Sequence, residues 1–108
     1  MNQPVQQVDP KQVAQKLASA APPFVLDVRM PLEIATDGAI DGSTLIPLPE
    51  LPARAAEVPE GREVICVCKS GMRSMNAAMF LRQRGVSASN LAGGMMAWAA
   101  SGLPVKRG

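Results

Sequence analysis

The stretch Val64-Ile65-Cys66-Val67-Cys68-Lys69-Ser70-Gly71-Met72-Arg73-Ser74 decides the architecture of this chain. Its first residues form an apolar run of strand length with no polar alternation, the pattern of a strand buried on both faces. The run stops at Cys68. Residues 74–84 then read as a helix, closed by Gly85, with Arg82 and Arg84 at its negative end. Between strand and helix lie a small residue, a glycine and two cations. A strand that feeds a helix through a short loop is a piece of a parallel β–α–β sheet, and such sheets bind ligands beyond the carboxyl ends of their strands. Cys68 is expected at that end, at the mouth of the loop.

The alternation extends in both directions. Residues 5–8 suit a short first strand. Asp9-Pro10 starts a helix, with Asp as N-cap and Pro in the first turn. Val13, Ala14 and Leu17 fall on its apolar face, and Ala21-Pro22-Pro23 ends it. Phe24-Val25-Leu26-Asp27-Val28 is a second buried strand, and residues 32–35 a helical turn. Thr44-Leu45-Ile46 suits a third strand, residues 51–56 a helix, residues 63–67 the fourth strand and residues 89–91 the last. Residues 94–100 form a final helix before Gly102 and Pro104. The fold class is α/β: a mainly parallel central sheet of about five strands with helices on both faces, in one domain over residues 1–108.

Composition excludes several functions. The net charge is +2, spread in both signs, and the aromatics are Phe24, Phe80 and Trp98. No basic run or stacking platform suits nucleic acid. No segment is apolar enough to span a membrane, and residues 1–10 carry no signal-type apolar stretch, so a cytoplasmic location is expected. The chain has no histidine, which removes Cys-His and Ser-His catalysis and His-ligated zinc. Its two cysteines, Cys66 and Cys68, are too close for an ordinary disulfide and too few for a thiolate metal site, so no metal is expected. Cys66, inside the strand, reads as core.

Any thiol chemistry must therefore run without a histidine base. A loop entering a helix N-terminus turns amide N–H groups inward and attracts an anion, and Gly71 permits the necessary curvature. A free thiol has a pKa of about 8.5; lowering it by about two units needs roughly 2.7 kcal/mol. Hydrogen bonds to a charged group contribute roughly 1.5–3 kcal/mol each. Two or three loop amides, helped by Lys69 and Arg73, suffice.

The sequence resembles the rhodanese-like domains, most closely the single-domain sulfurtransferases. Leu26-Asp27-Val28-Arg29 with Glu33 is similar to the family's first signature, and residues 38–43 with Ile46-Pro47 follow its second. Cys68-Lys69-Ser70-Gly71-Met72-Arg73-Ser74 looks like the active-site loop. Leu91-Ala92-Gly93-Gly94, Ala97-Trp98 and Gly102-Leu103-Pro104-Val105 look like the C-terminal signature. The departures are Ala39 and Asp41, which stand where the family usually has His and Pro, and Met72, which replaces a usually polar loop residue. Asp41-Gly42 can still form the turn.

The resemblance implies a thiosulfate sulfurtransferase type of enzyme, without cofactor. Cys68 is the nucleophile that carries a persulfide. Lys69, Ser70, Gly71, Met72 and Arg73 bind a small anionic sulfur donor such as thiosulfate. Asp27, Arg29 and Ser74 support them, with Arg29 and Glu33 as an ion pair anchoring the short helix. Cyanide, thioredoxin or another thiol takes the sulfur. The alternatives are a sulfur-carrier or regulatory module and, further off, a phosphatase or arsenate reductase. Cysteine phosphatases need Cys-x5-Arg, whereas Cys68 and Arg73 are spaced Cys-x4-Arg, and the loop has no carboxylate to protonate a leaving alcohol.

Overall fold

The computed structural model describes residues 4–107. Five strands, β1 (Gln7–Val8), β2 (Phe24–Asp27), β3 (Thr44–Leu45), β4 (Val64–Val67) and β5 (Ala88–Leu91), form one sheet in the order β1-β5-β4-β2-β3. Every strand pair is parallel, so the sheet is wholly rather than mainly parallel. The helices are α1 (Pro10–Leu17), α2 (Pro31–Asp37), α3 (Leu51–Arg54), α4 (Met72–Gln83) and α5 (Gly94–Ala100).

Alternation along the central strands divides the interior into two cores. Leu26, Val64, Cys66 and Cys68 face Leu51 of α3 and Ala77, Ala78 and Leu81 of α4. Val25, Ile65 and Val67 face Val13 of α1 and Met95 and Trp98 of α5. Cys66 and Cys68 therefore share a face. Helices cover both faces, and β4 is buried along its whole length. Among the described residues, no helix is long and apolar enough to cross a membrane.

Several elements differ from their expected bounds for identifiable reasons. Asp9 caps α1 as expected, its side chain accepting from Gln12 N at 2.9 Å. The helix foreseen over residues 51–56 breaks into two 3₁₀ turns, Leu48–Glu50 and Ala55–Glu57, around one turn of α3. Pro47, Pro49 and Pro52 remove backbone donors from this segment. Helix α2 is longer than the single turn expected, because the Glu33 carboxylate accepts from Met30 N at 2.8 Å and secures its start. The Asp41-Gly42 turn forms, with Ser43 N donating to Ile40 O at 3.0 Å and Gly42 at positive φ.

The connections place one crevice. The chain leaves β2 toward β3 on one side of the sheet and leaves β4 toward β5 on the other. Strands β2 and β4 are neighbours, so their carboxyl ends flank a topological switch point, where open parallel sheets bind ligands. The end of β2 brings Asp27, Arg29 and Met30 to it; the end of β4 brings Cys68.

Candidate active site

Helix α4 begins two residues before the position expected from sequence. Gly71 is its N-cap, at φ 98°, so Met72 and Arg73 already belong to the helix. No side-chain oxygen caps it. The sulfur of Cys68 takes that place, accepting from Ser74 N, the third amide of the helix, at 3.3 Å. It also accepts from Gly71 N at 3.1 Å and from the Ser74 hydroxyl at 3.2 Å.

A second helix holds the floor of the loop. Met95 N donates to Cys68 O at 2.8 Å and Met96 N to Lys69 O at 3.0 Å, so the first turn of α5 grips the peptide units behind the sulfur. Gly94 makes this approach possible. Its φ is positive, and a Cβ there would overlap Cys68 O and Lys69 O.

Cys68 is fully buried, at 0% exposure, and so lies on the floor of the loop rather than at its mouth. Burial pushes its thiol pKa up. The Ser74 hydroxyl and the amides of Ser74, Gly71 and Ser70 outweigh burial and hold it below the ordinary thiol value. Cys66, two residues back on the same face, has no such donors. Burial, then the nearby Cys68, pushes it up to about 12, and it is a core residue as expected.

The charged residues are arranged differently from the expectation. Arg29 does not pair with Glu33. Its guanidinium clasps Asp27, with Nη2 2.7 Å from Oδ2 and Nε 3.0 Å from Oδ1, and Nη2 also donates to Gly38 O at 2.8 Å. Both residues of this pair are 1% exposed. They join the end of β2 to the end of α2, and neither hydrogen-bonds to the loop. Two residues apart on one extended segment, they close on each other more readily than Arg29 reaches the outward-turned Glu33.

Glu33 instead binds Arg73. The contact is bidentate, Nη1 to Oε2 at 2.8 Å and Nη2 to Oε1 at 2.7 Å. It holds the Glu33 carboxyl down at about 2, and the guanidinium pKa rises in turn. Arg73 thus braces α4 against α2. Lys69, exposed and next to Cys68 in the chain, makes no ion pair among the described residues. Ser70 is exposed, as is Met72 at 76%.

Sequence reading missed Asn90. It lies on β5, 2% exposed, with Oδ1 2.5 Å from Ser74 Oγ and Nδ2 3.0 Å from Gly71 O. The available signal was a polar residue inside a short strand buried at every position.

This loop, set between two helix starts at the sheet's switch point, has counterparts. The sequence matches the family model of the rhodanese-like domain over residues 9–101.

The chain belongs to the rhodanese-like family.

It is 38% identical over 102 residues to a sulfurtransferase of Allochromatium vinosum, covering 94% of each chain. A rhodanese-related protein from Thermoplasma volcanium superposes with a TM-score of 0.86 at 29% identity, over 94% of this chain and 97% of that one. A thiosulfate sulfurtransferase from Pseudomonas aeruginosa superposes with a TM-score of 0.84 at 25% identity; this chain, matched over 99% of its length, spans 20% of that larger protein. This rhodanese domain is of sulfurtransferase type.

Proposed function

We propose that this rhodanese domain moves a sulfane sulfur through a persulfide on Cys68, with thiosulfate as a competent donor and a protein thiol as the acceptor. The observation that carries the reading is the threefold donation to Cys68 Sγ, from the Ser74 hydroxyl and the amides of Gly71 and Ser74, which favours a thiolate without a histidine.

The thiolate attacks the outer sulfur of thiosulfate. The S–S bond of the donor breaks, its electron pair leaves with sulfite, and a new S–S bond joins Cys68 to the transferred sulfur. The thiolate's electron pair becomes that new bond and the outer sulfur keeps the negative charge it had in thiosulfate, so charge and electrons balance. The amides of Met72 and Arg73, in the first turn of α4, have no intrahelical acceptor and suit that outer sulfur. Lys69, exposed and next to Cys68 in the chain, supplies a cation to favour the departing sulfite. An acceptor thiolate then attacks the outer sulfur and returns Cys68 to its thiolate.

The surroundings favour a protein as acceptor. Among the described residues, five large apolar side chains are more than two-fifths exposed: Met30, Leu32, Met72, Met79 and Met96. All but Met79 stand at the starts of α2, α4 and α5, the three helices that meet around the loop. A small anion gains nothing from that rim, and one of the two loop cations is already paired with Glu33. An apolar surface on a partner that carries the accepting cysteine gains from both features, and unbranched methionines adapt to such surfaces.

Incubation with thiosulfate, followed by intact-mass measurement, tests the reading. One sulfur atom is gained, it is absent in Cys68→Ser, and it is discharged by cyanide and by a reduced protein dithiol. Failure of every sulfane donor to load Cys68 overturns the proposal. Repeated turnover with donor and acceptor distinguishes an enzyme from a carrier loaded once. Hydrolysis of p-nitrophenyl phosphate favours the phosphatase alternative.

A further inference from the structure

The Ser74 hydroxyl has one proton and two acceptors within reach, Cys68 Sγ at 3.2 Å and Asn90 Oδ1 at 2.5 Å. The orientation of the Asn90 amide is fixed. Its Nδ2 lies 3.0 Å from Gly71 O, a backbone carbonyl that can only accept, and 3.0 Å from Gln7 Oε1 of β1. A flipped amide would set oxygen against oxygen at Gly71. Oδ1 therefore faces Ser74 and takes its only side-chain donor, among the described residues, from that hydroxyl.

Two arrangements of the proton follow. With Cys68 neutral, the S–H donates to Ser74 Oγ and the hydroxyl donates to Asn90 Oδ1, so every group is satisfied. With Cys68 ionised, the hydroxyl turns to the sulfur and leaves a buried amide oxygen without a donor. A persulfide resembles the neutral case at this point, because the charge has moved to the outer sulfur and the inner one no longer demands the hydroxyl.

We propose that Asn90 is a positioning residue that competes with Cys68 for the Ser74 proton, disfavouring the bare thiolate relative to both the thiol and the persulfide and so promoting sulfur loading. The persulfide half of this statement rests on the function proposed above; the competition for the proton does not. In effect, the loop amides make the thiolate accessible, and Asn90 keeps it from becoming so stable that it stops taking sulfur.

The charged and titratable groups around the sulfur leave a clear window for measurement. Cys66 faces the same core from β4 and titrates near 12. Arg73 of α4 is held by Glu33 of α2, whose carboxyl titrates near 2. Asp27 of β2 lies within the field of Arg73 and is itself clasped by Arg29, and Lys69 is exposed beyond the sulfur. Cys68 is held below the ordinary thiol value and Cys66 far above it, so alkylation resolves the two.

The test is a double-mutant cycle on the full chain, read as the Cys68 pKa from the pH dependence of iodoacetamide alkylation. Asn90→Leu keeps the approximate shape and removes the acceptor. It is expected to lower the Cys68 pKa by about one unit. In the Ser74→Ala background the same change should have no lowering effect, because there is no hydroxyl to redirect. An equal drop in both backgrounds, or none in either, overturns the proposal. Should Asn90→Leu fail to fold, the wild-type chain carries the test. Its Asn90 side-chain carbonyl carbon resonance should titrate with Cys68 and move back on persulfide loading; a resonance indifferent to both overturns the inference. In a buffer of thiosulfate and sulfite, Asn90→Leu should hold about tenfold less persulfide relative to thiolate, the same one-unit preference. An unchanged ratio removes the loading half of the proposal. If the wild type takes up no sulfur while the cycle holds, the proton competition stands and the proposed persulfide transfer falls.

Discussion

Cys66 and Cys68 make an internal control. They are two residues apart, one inside β4 and one just past its end, face the same core and are both fully buried. One is pushed up to about 12 and the other is held below the ordinary thiol value. Burial alone acts on both in the same direction, so it cannot be what distinguishes them. The distinction lies at the strand's end. Cys66 Sγ has only the packed interior around it, whereas Cys68 Sγ lies where the chain turns and a helix presents its free amides. A thiol held below its ordinary value is here a property of the strand-to-helix junction.

Exchange of the two cysteines breaks this comparison most directly. Cys68→Ser should abolish sulfur loading, measured by intact mass, while Cys66→Ala should load at the wild-type rate. Cys66→Ala should instead lose stability, by about 1–2 kcal/mol for the void left behind, as read by chemical denaturation. Loading at Cys66 in the Cys68→Ser chain would erase the contrast.

The next largest effect removes the junction and leaves both thiols. Gly94→Ala forces a side chain against Cys68 O and Lys69 O at a positive φ. The combined strain is expected to cost about 3 kcal/mol or more. The start of α5 should be displaced, and alkylation of Cys68 at neutral pH should slow as its pKa returns toward that of a free thiol. Wild-type stability and wild-type alkylation would show that the grip of α5 is dispensable.

Ser74→Ala is subtler. It takes one of the donors from Cys68 Sγ and leaves the amides in place. A hydrogen bond to a charged group contributes roughly 1.5–3 kcal/mol, so the Cys68 pKa should rise by about one unit once the competition from Asn90 is discounted. The pH profile for loading should move to higher pH by the same amount, with Cys66 unaffected. A profile that stays in place would assign the whole depression to the backbone.

The sheet, the positions of the strands and the placement of Cys68 at the end of β4 were legible in the sequence because each rests on local pattern. The run 64–67 is apolar without interruption, and Asp9-Pro10 and Gly85 are local signals of helix ends. What was not legible depends on which side chains meet after folding. The resemblance implied Arg29 as the partner of Glu33, yet Glu33 lies 40 residues from its partner Arg73 and reaches it only because β2 and β4 are neighbours. Asn90 was missed for the same reason, since its bonds to Ser74 and Gly71 span 16 and 19 residues. The early start of α4 escaped because its cap is a sulfur, which capping patterns do not include.

The Glu33–Arg73 pair yields the smallest expected effect and sharpens the comparison from outside the loop. With the Glu33 carboxyl at about 2 in the folded chain and 4.5 as its reference value, the pair's stabilisation is present in full above pH 4.5. It is lost as the pH falls from there toward 2, where the protonated carboxyl releases the guanidinium. Arg73 is 38% exposed, so solvent screening reduces the contribution to about 1 kcal/mol. Glu33→Gln should therefore lower stability by about 1 kcal/mol at pH 7 and flatten the fall in stability between pH 4.5 and 2. It also frees a second cation at the loop. The KM for thiosulfate should drop a few-fold, more so at low salt, with the alkylation pKa of Cys68 little changed. That pattern would separate the two tasks of the site: loop donors set the reactivity of the sulfur, while the charge at the rim sets which donors reach it. A drop in the Cys68 pKa as large as the gain in thiosulfate affinity would merge the two tasks and make Glu33 a determinant of the thiol itself.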